Sequence, residues 1–519
     1  MTKGKPSPGV SRRTVLATGA LAGSALVLPR ALRAGTSTPR RGGTLHVAMP
    51  YNPASLDPAT GRNTPDFNTL YALYDALIDF DPDTLDLKPA LAKRWHFADG
   101  NTLIIELVDG VEFHDGTPFN AEAVKFNLDR YRDSPRSNAK SDLNSVAAIE
   151  VTGKNQVTIH LAKPNAGLPT ILTNRVGLMV SPASIRQHGP NVDRMPVGTG
   201  PFKFAGWQDN YRISVSRNTN YWRAGLPYLD GIEFHIINEL NTAARTVTAG
   251  ETQLALDMTV QQKLAADRMP NVATSATTSL IFFGAHLNYA QKPFSDQRIR
   301  QAVNYGVDRD ELNKVLVAGL GEPSSHVLPK SFWATDPSTV SYYHYDPERA
   351  KKLVADAGFG SGIEITCWGW PDQASMQRQE LIESQLAKAG IRLKLTPRNP
   401  VQVASEFYLN KHGAMYIAPS GGYPDPSQFY DALYGKNALL NAASMELPGY
   451  RELVDATMAT PRLDERKAAF AKLQRFCIEE ALELPQFIAP AVSIASPKLK
   501  NFTAGILNCP KFTQVWLEA

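Results

Sequence analysis

The chain has 519 residues, 43% hydrophobic and 20% charged, with 54 basic against 50 acidic side chains and a formal charge of +4. A single core stops growing beyond roughly 250–300 residues, so one compact body is excluded and two lobes are expected. Six basic residues and no acidic one fall within the first 34 positions, so the rest of the chain carries −2 and offers no case for nucleic-acid or polyanion binding.

Residues 1–34 read as a secretory leader. Ser11-Arg12-Arg13-Thr14-Val15-Leu16 is a twin-arginine start, and Pro29 closes the apolar run from Val15 to Leu28. That run is shorter than the roughly 18 residues needed to span a bilayer. Leu32 fits the small-residue rule poorly for a cut after Ala34, and no cysteine stands near enough for a lipid anchor. An exported, soluble, periplasmic product is expected.

Gly43 to Met49 alternates like a first strand, and Tyr51 to Pro58 follows as a loop. Asp66 is placed to cap a helix reaching about Phe80, with Leu70, Leu73, Tyr74 and Leu77 inward. Asp79, Asp81 and Asp83 alternate as in a calcium loop. However, Thr84 and Ala90 stand where Gly and Glu are needed, so a plain turn is expected. From Leu91 to Arg130, Asp99-Gly100, Asp109-Gly110 and Asp115-Gly116 mark turns. Asn101 to Val108 between them reads as a buried strand, and Asn120 as the N-cap of a helix burying Val124, Leu128 and Tyr131. The Trp, Asp-Gly turn and strand, followed by Gly110-Val111-Glu112-Phe113-His114-Asp115-Gly116-Thr117-Pro118-Phe119, resemble the signature of family 5 extracellular solute-binding proteins. These are the dipeptide- and oligopeptide-binding type components of bacterial ABC importers.

Residues 144–196 read as short strands and loops. Pro196-Val197-Gly198-Thr199-Gly200-Pro201-Phe202-Lys203-Phe204, with Trp207 and Asn220-Tyr221-Trp222, resembles the same family in the same order. Ile281 to Asn288 is strand-like, and Ser295 or Asp296 caps a helix with Ile299, Val303 and Val307 in register. Asp346-Pro347 starts another helix, which Gly358 closes. Strand Ile363–Trp370, helix Ala374–Ala389, strand Ile391–Leu395 and helix Leu463–Ala481 follow. The resemblance implies an α/β, two-lobed periplasmic binding protein of type II, in the large peptide-binding class with an extra subdomain. Lobe 1 would take 43–290 with an insertion at about 80–196. Lobe 2 would take 291–482, and 483–519 would return to lobe 1.

The implied function is capture of a peptide-like small solute by hinge closure and its delivery to an ABC permease in the inner membrane. A non-peptide solute (oligosaccharide, opine-like conjugate or metal chelate) is the alternative, and a secreted hydrolase a weaker one. Hinge strands are expected at Gly284–Ala290 and Leu482–Phe487, including His286, Asn288, Leu484 and Gln486. Candidate ligand contacts are Tyr51, Asn52, Asn63, Trp368, Trp370, Gly421, Gly422, Tyr423 and Asp425. In peptide-binding members a carboxylate three residues before the loop's acidic residue holds the peptide's amino group. Here that position is Gly422, and no Arg stands on Thr366–Trp370. Both departures argue against a zwitterionic dipeptide. Asp425 has a second reading as a turn cap.

No nucleophile-base constellation supports an enzyme. Ser137-x-x-Lys140 has no Lys-Thr-Gly companion. No phosphate loop and no cofactor are expected. The ten histidines contain no i, i+4 pair, so no dedicated metal site is expected. Cys367, Cys477 and Cys509 match no zinc spacing and are expected to be buried, with at most one disulfide. A monomer is expected.

Overall fold

The alternating residues Thr44–Met49 form a strand with parallel neighbours on both sides, Gly231–Ile236 and Leu254–Ala255. The structure, a computed structural model, describes residues 1, 2, 4, 38–61, 64–438 and 440–519. The leader motif from Ser11 to Ala34 and the candidate contact Asn63 lie outside the described residues.

Among the described residues the largest sheet has eleven strands. In spatial order they are Ile391–Pro397, Ile363–Gly369, Met415–Ser420, Ala273–Leu287, Glu483–Ala495, Leu254–Ala255, Thr44–Met49, Gly231–Ile236, Arg212–Arg217 and Phe202–Gln208. Glu322–Pro323 pairs beside Glu483–Ala495. The two longest strands, Ala273–Leu287 and Glu483–Ala495, are antiparallel and central. Strands from the first half of the chain lie on one side of them and strands from 363–420 on the other. Ile363–Gly369 and Ile391–Pro397 are parallel, and helix Gln373–Ala387 makes the crossover that parallel pairing requires.

A separate four-stranded antiparallel sheet has the order Ala92–Asp99, Thr102–Leu107, Gln156–Leu161 and Val146–Gly153. Helix Ala121–Asp133 covers it. Asn120 caps that helix by accepting from the Ala123 N–H at 3.0 Å, and Val124, Leu128 and Tyr131 are buried as the spacing predicts. Two of the three Asp-Gly turns place glycine at positive φ, at Gly110 and Gly116. Asp81 accepts from the N–H groups of Asp83 and Thr84, so the Asp79–Asp83 alternation is a turn.

Several boundaries differ from the sequence reading. The first helix runs only over Thr64–Leu73, with Asp66 inside its first turn, and Ile78–Phe80 is a strand. The Leu70, Tyr74, Leu77 spacing therefore continues a helical pattern past the helix's end, because Leu77 and Ile78 instead join the buried cluster of the four-stranded sheet. Residues 144–196 carry the short helices Leu168–Ile171 and Pro182–His188 besides their strands. The strand beginning at Ile363 stops at Gly369, one residue before Trp370, and the helix from Leu463 stops at Glu479. Asp296 and Asp346 cap their helices as expected.

The two sequence signatures meet in space. The His114 N–H donates to the Gly198 carbonyl at 2.8 Å. The ring Nδ1 accepts from the Gly198 N–H, which leaves Nε2–H to donate to the Gly200 carbonyl at 3.0 Å. Gly198 and Gly200 lie so close to Leu73 and Tyr74 that a Cβ on either would sit within 2.4 Å of their atoms. The two signatures thus meet each other at the end of the first helix.

The largest buried cluster runs from Leu45 and Phe234 through Leu280, Phe282 and Phe429 to Tyr450 and Phe470. Helices Pro426–Tyr434, Tyr450–Met458 and Leu463–Glu479 therefore share the core that holds the first strands. A second cluster gathers Ile299, Val303, Ile365, Ile382 and Ile391. The three cysteines are free thiols, with Cys367 and Cys477 buried and Cys509 half-buried.

Candidate binding cleft

The strand Thr44–Met49 delivers its chain to Tyr51, whose ring is 58% exposed. Its phenol is pushed above its ordinary value by desolvation, and then by Asp257 and Asp372. Asp257 follows the strand Leu254–Ala255, and Asp372 caps helix Gln373–Ala387 by accepting from the Ser375 N–H at 3.0 Å. Tyr51 therefore lies within electrostatic reach of a carboxylate from each side of the central strands. Asp257 accepts from Asn508 Nδ2 at 2.6 Å and Asn68 Nδ2 at 3.2 Å, yet burial still raises its pKa.

On the other side, Trp370 Nε1 donates to the Tyr416 hydroxyl at 2.5 Å, and Gln379 Nε2 donates to the Trp370 carbonyl. Aromatic rings continue from Tyr416 through Tyr408 to His286, then to Phe282, Phe429 and Tyr423, each step 5.6–6.0 Å between centroids. Tyr423 lies within electrostatic reach of Asp142 and Arg175. Gln428 Nε2 donates to Asp142 at 2.7 Å.

The predicted contacts divide into two groups. Tyr51 and Gly421 are exposed and Trp370 and Tyr423 half-buried, and a Cβ on Gly421 would meet nothing within 4 Å. The other described candidates are occupied by the fold. Asn52 accepts from Trp207 Nε1 at 3.1 Å and from the Asn210 N–H, and donates to Asp209, so it ties its loop to the Arg212–Arg217 hairpin. Trp368 is buried against Phe407, with the Arg398 guanidinium 4.5 Å over its ring. Asp425 is fully buried, caps helix Pro426–Tyr434 through the Ser427 N–H, and accepts from the Arg466 Nη2 at 2.9 Å on each oxygen. That is the cap reading.

Gly422 makes its close approach within the protein. Phe282 pairs with Ser420, so the register brings Leu280 opposite Gly422. A Cβ on Gly422 would lie 2.3 Å from the Leu280 Cβ. His286 Nδ1 and Glu483 Oε1 approach to 2.9 Å, but neither atom has an aligned hydrogen bond, and both side chains are buried. Burial raises the Glu483 pKa and His286 opposes it. Gln486 is fully buried with no protein partner for either amide atom. Asn288 holds the carbonyls of Lys411 and Gly413, and Leu484 is core.

Sequence reasoning missed Arg378. It is 7% exposed, its guanidinium lies 3.9 Å over the Phe283 ring, and its Nε has no protein partner. Burial lowers its pKa to about 10, with Asp372 opposing. The signal was present: Ser375, Arg378, Gln379, Ile382, Gln385 and Leu386 share the inward face of one helix, and four of the six are polar. A buried polar stripe on a helix marks either a network or a ligand.

The model of the bacterial extracellular solute-binding proteins, family 5 (middle), matches residues 86–440. The glutathione-binding protein GsiB of Escherichia coli K12 is 31% identical over 363 residues, 69% of this chain and 70% of that protein. The DppA periplasmic binding protein of Helicobacter pylori, in complex with the peptide STSA, superposes with a TM-score of 0.83 at 24% identity. It covers 92% of this chain and 99% of that one. A dipeptide-binding protein from Pseudoalteromonas sp. SM9913, in complex with Met-Leu, superposes at 0.81 with 21% identity, over 92% and 100% of the two chains. At such identities the structural likeness carries the two-lobed type II fold.

Proposed function

The chain belongs to the bacterial extracellular solute-binding proteins of family 5, the periplasmic substrate-binding components of ABC importers, and from that membership we propose that it captures a peptide-like solute of the glutathione type. The observation that carries the ligand class is Gly422. The position that would hold a carboxylate for a peptide's amino group has no side chain, and Leu280 leaves no room for one. Glutathione, the ligand named for the GsiB relatives, has its first residue linked through the γ-carboxyl, so its amine does not end a normal peptide.

Tyr51, Trp370, Gly421 and Tyr423 line the cleft in this reading. Arg378, a buried cation with one unpaired N–H, receives a ligand carboxylate. Lobe closure bends the two central strands where their pairing is interrupted, between Thr278 and Phe282 on one and Ile488 and Pro490 on the other. This point precedes the expected hinge residues His286 and Asn288 by several positions. The basic leader with Arg12 and Arg13 supports Tat export to the periplasm. The protein acts as a monomer without turnover, so the ligand is recovered unchanged.

Thermal unfolding against a solute panel tests the reading. Glutathione and N-acetylated dipeptides are expected to raise Tm, and free-amine dipeptides are not. A shift with free-amine dipeptides alone overturns it. A shift only with opine-like conjugates keeps the binding role and removes the peptide-like class.

A further inference from the structure

Outside the cleft, the first strand and its parallel neighbour bring two histidines and a glutamate to one face. His46 is opposite Glu233 in the register, and His235 stands two residues beyond Glu233, so the pleat turns all three side chains the same way. The His46 Nδ1 lies 3.1 Å from the His235 Nε2. The Glu233 Oε2 is 3.4 Å from the first nitrogen and 3.6 Å from the second. The ring centroids are farther apart, at 5.4 Å, so the rings lean together at their nitrogen edges.

From these three distances we infer that His46, Glu233 and His235 form a binding site for a borderline divalent transition metal such as Zn2+. Tetrahedral zinc with bonds of about 2.0–2.1 Å to nitrogen and oxygen has ligand–ligand edges of about 3.3 Å. The observed triangle of 3.1, 3.4 and 3.6 Å matches one face of that tetrahedron within a few tenths of an ångström. Imidazole and carboxylate together suit zinc, nickel and copper rather than magnesium or calcium. The side chains keep 35%, 24% and 23% of their surface exposed, so the fourth position opens to solvent.

Arg212 is the built-in competitor. Its Nη1 lies 3.2 Å from both Glu233 oxygens, and it pairs across from His235 on the next strand. Metal binding draws one carboxylate oxygen away from this guanidinium. The site joins two strands of the large sheet and leaves the cleft free, so it is independent of the solute read above. Helical spacing along the sequence does not reveal it, because its parts are far apart in the chain and meet only through strand register.

The test is titration of the intact chain, free of any histidine tag, with Zn2+ by calorimetry, and with Co2+ by visible absorption. One site is expected, with the ligand-field bands of tetrahedral cobalt. His46→Ala, His235→Ala and Glu233→Gln each weaken Zn2+ by about tenfold or more and abolish the bands. Arg212→Gln tightens Zn2+ binding severalfold, a change that a merely structural cluster would not produce. Melting curves without metal confirm that each variant is folded, and the three ligand variants check one another. Unchanged Zn2+ affinity in the His46→Ala/His235→Ala double variant overturns the assignment, as does a wild-type chain that binds neither metal.

Discussion

Asp425 and Arg466 are both buried, and neither charge has water to fall back on. Removing one partner of such a pair leaves an uncompensated charge and costs about 3–5 kcal/mol. Arg466→Leu is therefore expected to lower the unfolding free energy by about that amount in urea titrations. If the loss were under about 1 kcal/mol, Asp425 would be free to serve a ligand. His326 supplies the pH dependence at this scale. Its Nδ1 accepts from the Leu328 N–H, its Nε2 meets the Tyr430 hydroxyl at 2.9 Å, and burial lowers its pKa from 6.5 to about 4. The folded state then binds fewer protons than the unfolded one between those values. Its stabilising contribution is complete above pH 6.5 and is lost as the pH falls toward 4. The displacement corresponds to roughly 3 kcal/mol, so His326→Gln should remove about that much of the difference between unfolding free energies at pH 7 and pH 4. Residue identity in the sequence suggested Asp425 for the ligand or a cap. Only the partner Arg466, forty-one residues later, separates the two roles.

Capped and periodic elements follow from local chemistry. Asn120, Asp296 and Asp346 each accept from a first-turn N–H, and residues like Val124, Leu128 and Tyr131 bury as their spacing requires. Where local pattern and tertiary packing disagree, packing wins: the helical spacing past Leu73 is broken so that Ile78–Phe80 can pair with Leu87–Pro89. Register is the part that no local pattern contains. It sets Gly422 against Leu280, and it explains why two adjacent glycines with the same apparent freedom have different surroundings. Gly421→Ala adds a methyl into open space and is expected to change stability by less than about 0.5 kcal/mol. Gly422→Ala drives its Cβ into Leu280 and should cost about 1–3 kcal/mol, as overpacking does. Chemical denaturation of the two variants decides this. Equal stabilities would mean that the strand end moves aside easily and that Gly422 has room for a ligand.

At the scale of the whole molecule, the proposed closure links ligand capture to fold stability. The central strands leave their ladder at one level. There Ser279 Oγ donates to the Ala489 carbonyl, and the Leu280 N–H turns to Ile506 instead of a strand partner. In the closure proposed above, bending at that level would bring Tyr51 and Asp372 toward each other. These two residues therefore should behave unlike Arg466. Tyr51 is mostly exposed, and Asn is as good a cap as Asp at position 372. Tyr51→Ala and Asp372→Asn are expected to shift ligand-free stability by no more than about 0.5 kcal/mol. A ligand at a hundred times its Kd stabilises the wild-type chain by about 2.7 kcal/mol. A tenfold loss of affinity at the same concentration would remove about 1.4 kcal/mol of this, and Tyr51→Ala is expected to lose at least that much. Full ligand stabilisation in Tyr51→Ala would mean that the solute sits away from the loop after the first strand. The facing surfaces at Tyr423 and Asp142 would then be the place to look, with Gln428→Ala as the corresponding variant.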